Sequence, residues 1–154
     1  MPGVTSDLFS HTQHSLLAFG RDGLAWDLPR YPREMTKSPI HWLKDVADHD
    51  YDAAVSYLSL KYGDKQAGEI VARIRKAGVT MRRANDILRA TGLPALPLSD
   101  PGVRRDLMKL LNGDKLSPVL VFDQDPGADI ADGYHRVSLA YNIDPFMDVP
   151  LKLG

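Results

Sequence analysis

The spacing of apolar residues changes once along the chain, from a helical period in its middle to short unbroken runs near its end. In Tyr51–Tyr62 the residues Tyr51, Val55, Leu58 and Tyr62 recur at steps of four, three and four, which predicts a helix. Asp50 or Asp52 is placed to cap it and Gly63 to stop it. Asp64–Ala77 repeats the design, with Ala67, Ile70, Val71 and Ile74 inward, Arg73, Arg75 and Lys76 outward, Asp64 as cap and Gly78 as end. The two make a helical hairpin. A short third helix is expected over Asn85–Thr91, closed by Gly92. Leu93–Leu98 is apolar but broken by Pro94 and Pro97, so it is extended and no central strand. Ser99 or Asp100 then caps a fourth helix, with Pro101 in its first turn, a stripe of Val103, Leu107, Leu110 and Leu111, and a close at Asn112-Gly113.

Strands follow. Pro118–Phe122 reads as a buried strand, Asp123–Gly127 as a turn and Ala128–Ala131 as the return strand. A helix from about Gly133 to Tyr141 turns Val137, Ala140 and Tyr141 inward. Asn142–Asp148 is a loop and Val149–Leu153 a last short strand. The pattern predicts an α+β fold in three parts: an irregular arm or extension over 1–38, a helical hairpin over 39–83 packing on the core, and the core itself over 84–154. Met35, just before the first helical pattern, is a candidate natural start.

Composition narrows the function classes. The 154 residues suit one ordinary domain. With 19 basic and 20 acidic residues the formal net charge is −1, so the chain as a whole is not drawn to nucleic acid or to an acidic membrane. Cysteine is absent, which excludes disulfides, thiolate metal sites and cysteine nucleophiles, and fits a reducing cytoplasm. No apolar run approaches the roughly 20 residues that span a bilayer, and the N-terminus lacks a basic start followed by an apolar core. A cytoplasmic protein with no membrane partner is expected.

Chemistry concentrates in Ile130–Tyr141, where a strand passes through Gly133 into a helix. A helix N-terminus offers unpaired N–H groups and a partial positive charge. Cationic side chains there oppose the dipole unless an external anion is the partner, so His135 and Arg136 are expected to converge with the backbone amides on a phosphate or carboxylate. Each residue also has a plainer reading. Gly133 is a turn glycine at positive φ, and His135 a histidine bonded to a carbonyl. Arg136 salt-bridges Asp132 or Asp144. Asp132 orients His135 or Arg136, ligates Mg2+ beside phosphates, or caps the helix. Tyr134 stacks on a base or faces the core. Lys115 and Ser117 flank the strand beside the turn, within reach of a phosphate, though a lone lysine is usually only solvated. Arg82, Arg83 and Arg89, with Arg104 and Arg105, form a modest basic cluster, read as a DNA contact or as a solvated face. His11 and His14 stand at i, i+3 without a third ligand, so no metal is expected. Asp48, His49, Asp50 and Asp52 lack the spacing of a calcium loop and suit caps and turns.

Leu116-Ser117-Pro118-Val119-Leu120-Val121, then Ile130-Ala131-Asp132-Gly133-Tyr134-His135-Arg136, then Val149-Pro150-Leu151-Lys152-Leu153, resembles the ParB/sulfiredoxin-like superfamily over roughly residues 84–154. The resemblance implies a small mixed sheet with flanking helices, and a strand-to-helix turn that holds nucleotide phosphates. Members bind cytidine triphosphate (ParB), adenosine triphosphate (sulfiredoxins) or adenosine diphosphate (free-serine kinases). It therefore implies ATP, ADP or CTP with Mg2+ as ligand, and phosphotransfer or nucleotide hydrolysis as activity. Gly133, His135 and Arg136 match the turn motif, closest to the kinase and sulfiredoxin versions. Tyr134 stands where sulfiredoxins carry their catalytic cysteine, which removes sulfinic-acid reductase chemistry. No helix-turn-helix module like that of the partition proteins is found. The alternative is a non-catalytic regulator that binds DNA or a protein partner through its helical half.

Overall fold

A computed structural model describes residues 38–154. The arm, His11, His14 and Met35 lie outside the described residues. Among the described residues five helices and four strands follow in chain order: α1 (Asp48–Tyr62), α2 (Asp64–Lys76), β1 (Thr80–Arg83), α3 (Ala84–Thr91), α4 (Pro101–Leu111), β2 (Val119–Gln124), β3 (Gly127–Asp132), α5 (Tyr134–Ile143) and β4 (Asp148–Leu153). The strands form one mixed sheet in the order β1-β4-β2-β3. β4 runs antiparallel to β1 and parallel to β2, and β2 and β3 form an antiparallel hairpin. The fold is α+β, as the change of period predicts.

The sheet is covered on both faces, and strand alternation sorts the side chains between them. Val119 and Val121 of β2, Ile130 of β3, and Val149 and Leu151 of β4 join a core with residues of α3, α4 and α5. Leu120, Phe122 and Ala131 point the other way and pack with Tyr51, Ala54 and Leu58 of α1 and with Ala67, Ile70, Val71 and Ile74 of α2. The two helical stripes read from the sequence are thus the inner faces of the hairpin, with Ala54 added and Val55 and Tyr62 only partly buried. Before α1, Trp42 bridges Leu116 in parallel, and this segment runs beside the entry to β2.

Several details depart from the sequence reading. β1 was not foreseen; it lies within 39–83 yet belongs to the sheet. α1 begins at Asp48 with Ala47 as N-cap and no side-chain cap, so neither Asp50 nor Asp52 caps it. Asp64 is the first residue of α2 and caps nothing either. Asp100 does cap α4, its carboxylate accepting from Gly102 N–H at 2.8 Å and Val103 N–H at 3.1 Å. Pro101 opens that helix, as a ring with fixed φ and no N–H suits. Leu111, expected inward, is 69% exposed. β2 extends to Gln124, so the turn narrows to Asp125-Pro126, whose peptide is cis.

Candidate functional site

β3 ends at Asp132 and α5 opens at Tyr134, joined by Gly133 at φ 101°. Glycine is needed here twice over. The left-handed backbone disfavours a side chain, and a Cβ would lie 2.9 Å from Nη2 of Arg136. Gly133 is also the N-cap, so no side chain closes the helix start, and the first turn carries no acid. Gly133 C=O accepts from Val137 N–H at 3.0 Å. The N–H groups of Tyr134, His135 and Arg136 precede that bond and have no partner within the helix.

His135 and Arg136 do not converge. Successive residues on a helix point about 100° apart, and this rotation corrects the expectation drawn from their adjacency. Arg136 turns inward and is 9% exposed. Its Nη1 donates to Asp50 Oδ2 at 2.9 Å and its Nη2 to Asp132 Oδ2. One guanidinium therefore ties α5 to the end of β3 and to the first turn of α1. Its Nε is buried with no partner among the described residues, below Gly133. Of the plainer readings, the salt bridge to Asp132 holds and one to Asp144 is not formed. Burial, with the charge of Asp50 alongside, keeps the Asp132 carboxyl above the ordinary carboxylate range, although Arg136 and the Gly133 N–H pull it down. The exposed His49 reaches Asp50 Oδ1 at 3.1 Å from the far side.

His135 turns outward, half exposed, toward the start of α4. Its Nε2 is 3.6 Å from the Asp100 carboxylate, and its ring fills the space a side chain on Gly102 would need. Tyr134 stacks beside it, ring centroids 6.3 Å apart, and its hydroxyl donates to Pro94 C=O at 2.5 Å. His135 thus stands on the outer side of the turn beside the helix amides, with Arg136 behind it, while Tyr134 is partly buried against the core.

The other candidates scatter. Ser117 is buried, and its hydroxyl oxygen accepts from Ala47 N–H at 3.0 Å, fixing the start of α1 to the sheet. Lys115 is exposed on the approach to β2. Arg82 and Arg83 lie on β1, Arg89 pairs with Asp86 on α3 at 3.6 Å, and Arg104 and Arg105 are exposed on α4. Sequence reasoning missed Asp50 as a partner of Arg136, and no local signal marks a contact 86 positions away. It also missed Asp129, buried on β3, which accepts from Lys61 Nζ at 2.5 Å and Tyr57 Oη at 3.1 Å, and Lys152, whose Nζ lies 2.9 Å from Asp45. Hydrogen bonding to Asp129 raises the Lys61 amine, and burial beside that carboxylate raises the Tyr57 hydroxyl.

The fold and the turn define an α+β domain with a mixed sheet and an open strand–glycine–helix junction. No family model, no curated protein and no solved structure matches the chain.

Proposed function

We propose that this is a nucleotide-binding domain of the ParB/sulfiredoxin-like kind, with the phosphates held at the start of α5. The observation that carries the reading is the glycine-capped helix N-terminus whose amides have no partner among the described residues, beside a half-exposed histidine. The amides of Tyr134, His135 and Arg136 contact phosphate oxygens, and the His135 imidazole adds a donor. Tyr134 offers a ring to a base. Arg136 is a positioning residue that fixes the turn from behind.

The charge of the turn makes the reading more specific. Arg136, Asp132 and Asp50 together carry +1 and −2, a net −1 directly behind the anion. A bare polyphosphate is repelled by that excess. A Mg2+ ion held between the phosphates and Asp132, whose side chain is 24% exposed, offsets it. The ligand is accordingly a magnesium complex of ATP, ADP or CTP. Calorimetric titration with each nucleotide, with and without Mg2+, tests this. Binding should require Mg2+ and should weaken about tenfold in His135→Ala, the loss of one charge-assisted hydrogen bond. No heat with any nucleotide, from protein shown to be folded, overturns the proposal.

A second reading, a regulator binding DNA through the helical half, rests on Arg82 and Arg83, exposed neighbours on β1 with no carboxylate partner among the described residues. A gel shift lost in Arg82→Ala/Arg83→Ala and unchanged in His135→Ala would favour it.

A further inference from the structure

We infer that the free edge of β1 is a docking site for an extended acidic segment of a partner protein, which adds to the sheet as a fifth strand. Among the described residues β1 pairs only with β4 and forms an edge of the sheet. The ladder fixes which backbone groups are free. Thr80 faces Leu151 and Arg82 faces Val149, and the same register continues to the bond from Ala84 N–H to Met147 C=O at 2.9 Å. Antiparallel pairing alternates, so Thr80, Arg82 and Ala84 turn their backbone toward β4. On the other side of β4, Gly154 N–H donates to Val121 C=O, so the even-numbered positions of that strand serve β2 and the odd-numbered ones β1, in agreement. The N–H and C=O groups of Met81 and Arg83 therefore face outward. Among the described residues Met81 C=O is covered only by the guanidinium of Arg82, at 2.8 Å, a contact that an incoming strand can replace.

The side chains beside that edge select the occupant. Arg82 lies with Thr80 on one face, and Met81 and Arg83 lie on the other, where Arg83 sits 5.9 Å from the ring centroid of Phe146. Met81 is 49% and Phe146 62% exposed. An added strand alternating acidic and apolar residues sets carboxylates beside Arg82 and apolar side chains beside Met81 and Phe146. A second copy of this chain fits poorly. In the antiparallel register that pairs the outward groups of Met81 with those of Arg83, Arg82 lies directly opposite its own copy, and like charges there repel. Nucleic acid also fits less well, because two arginines are few for phosphate binding and phosphate oxygens have no donor for the outward carbonyls of Met81 and Arg83.

The test is binding of a short synthetic peptide of alternating glutamate and valine to the full chain, read by fluorescence anisotropy. Met81→Pro removes the outward N–H while leaving the bonds to β4, since proline is tolerated where an edge N–H faces solvent. Binding should weaken about tenfold or more in Met81→Pro and in Arg82→Glu, and should be unchanged in His135→Ala. If Met81→Pro does not fold, the same peptide with alternate backbone nitrogens methylated replaces it, and should lose affinity to the same degree. Several results overturn the proposal: no binding of the glutamate peptide, equal binding of its lysine counterpart, or unchanged binding in Arg82→Glu. Duplex DNA bound through Arg82 without peptide binding, or a dimer broken by Met81→Pro without peptide binding, overturns it as well.

Discussion

The two faces of the sheet are covered by different physics. Toward α3, α4 and α5 the contact is almost wholly apolar, with Ser138 the one fully buried polar side chain among its largest members. Toward the hairpin, two cations reach across to buried carboxylates, Arg136 to Asp50 and Lys61 to Asp129, and the buried Lys152 reaches the exposed Asp45 in the segment before α1. Burial of a charge is costly unless it is paired, so such ties penalise every arrangement except the one that completes them. The apolar face sets that the sheet is covered. The ionic face sets how α1 is placed, and through Arg136 it joins α1 to the proposed binding turn.

The largest effect should come from cutting that joint. Arg136→Ala leaves Asp50 buried beside Asp132 with the exposed His49 as its remaining basic neighbour, and should cost about 3–5 kcal/mol in urea unfolding. Because the two residues act as a unit, Asp50→Ala/Arg136→Ala should cost less than the sum of the single changes. Lys61→Ala, at a side chain 40% exposed, leaves the buried Asp129 with the Tyr57 hydroxyl as its remaining donor and should cost less, about 2 kcal/mol. Equal costs for Arg136→Ala and Lys61→Ala would show that burial does not separate these ties.

The same contrast explains what was legible in the sequence. The inner faces of the hairpin and the strands β2 to β4 were readable because apolar burial imposes a period on the residues that make it. β1 imposed none. Thr80-Met81-Arg82-Arg83 is exposed except for the half-buried Thr80, so its residues carry no alternation. Asp50 stood where caps stand, and its true partner is brought to it only by the finished fold. The turn at Gly133 was legible because its left-handed backbone calls for glycine. The separation of His135 from Arg136 was legible in principle, since neighbouring residues on a helix cannot share a face.

The pH dependence of the joint is a smaller effect. Burial raises the Asp132 carboxyl above its ordinary range. The folded state therefore binds that proton more tightly than the unfolded chain. Its contribution to stability is complete below the unfolded value and is lost as pH rises through the folded one. Urea midpoints of the native protein relative to Asp132→Asn should fall as pH rises out of the ordinary carboxylate range and level off once the folded-state carboxyl has ionised. A relative midpoint that rises over this range would mean that Arg136, not burial, governs Asp132.

The smallest effect on stability is also the one that best separates binding from folding. Gly102 lies in the first turn of α4, against the His135 ring, and a Cβ there would stand 2.3 Å from ring Cδ2. The obstruction is the end of a half-exposed side chain, so the ring can swing away at little cost. Alanine is the better helix former, by up to about 1 kcal/mol. Gly102→Ala should therefore leave the unfolding midpoint unchanged or slightly raised while displacing His135 from the outer side of the turn. If the imidazole helps to hold phosphate, this variant loses affinity for the magnesium nucleotide with its stability intact, whereas Arg136→Ala loses both. Full affinity in Gly102→Ala would remove His135 from the site and leave the backbone amides of α5 as its only donors on that side.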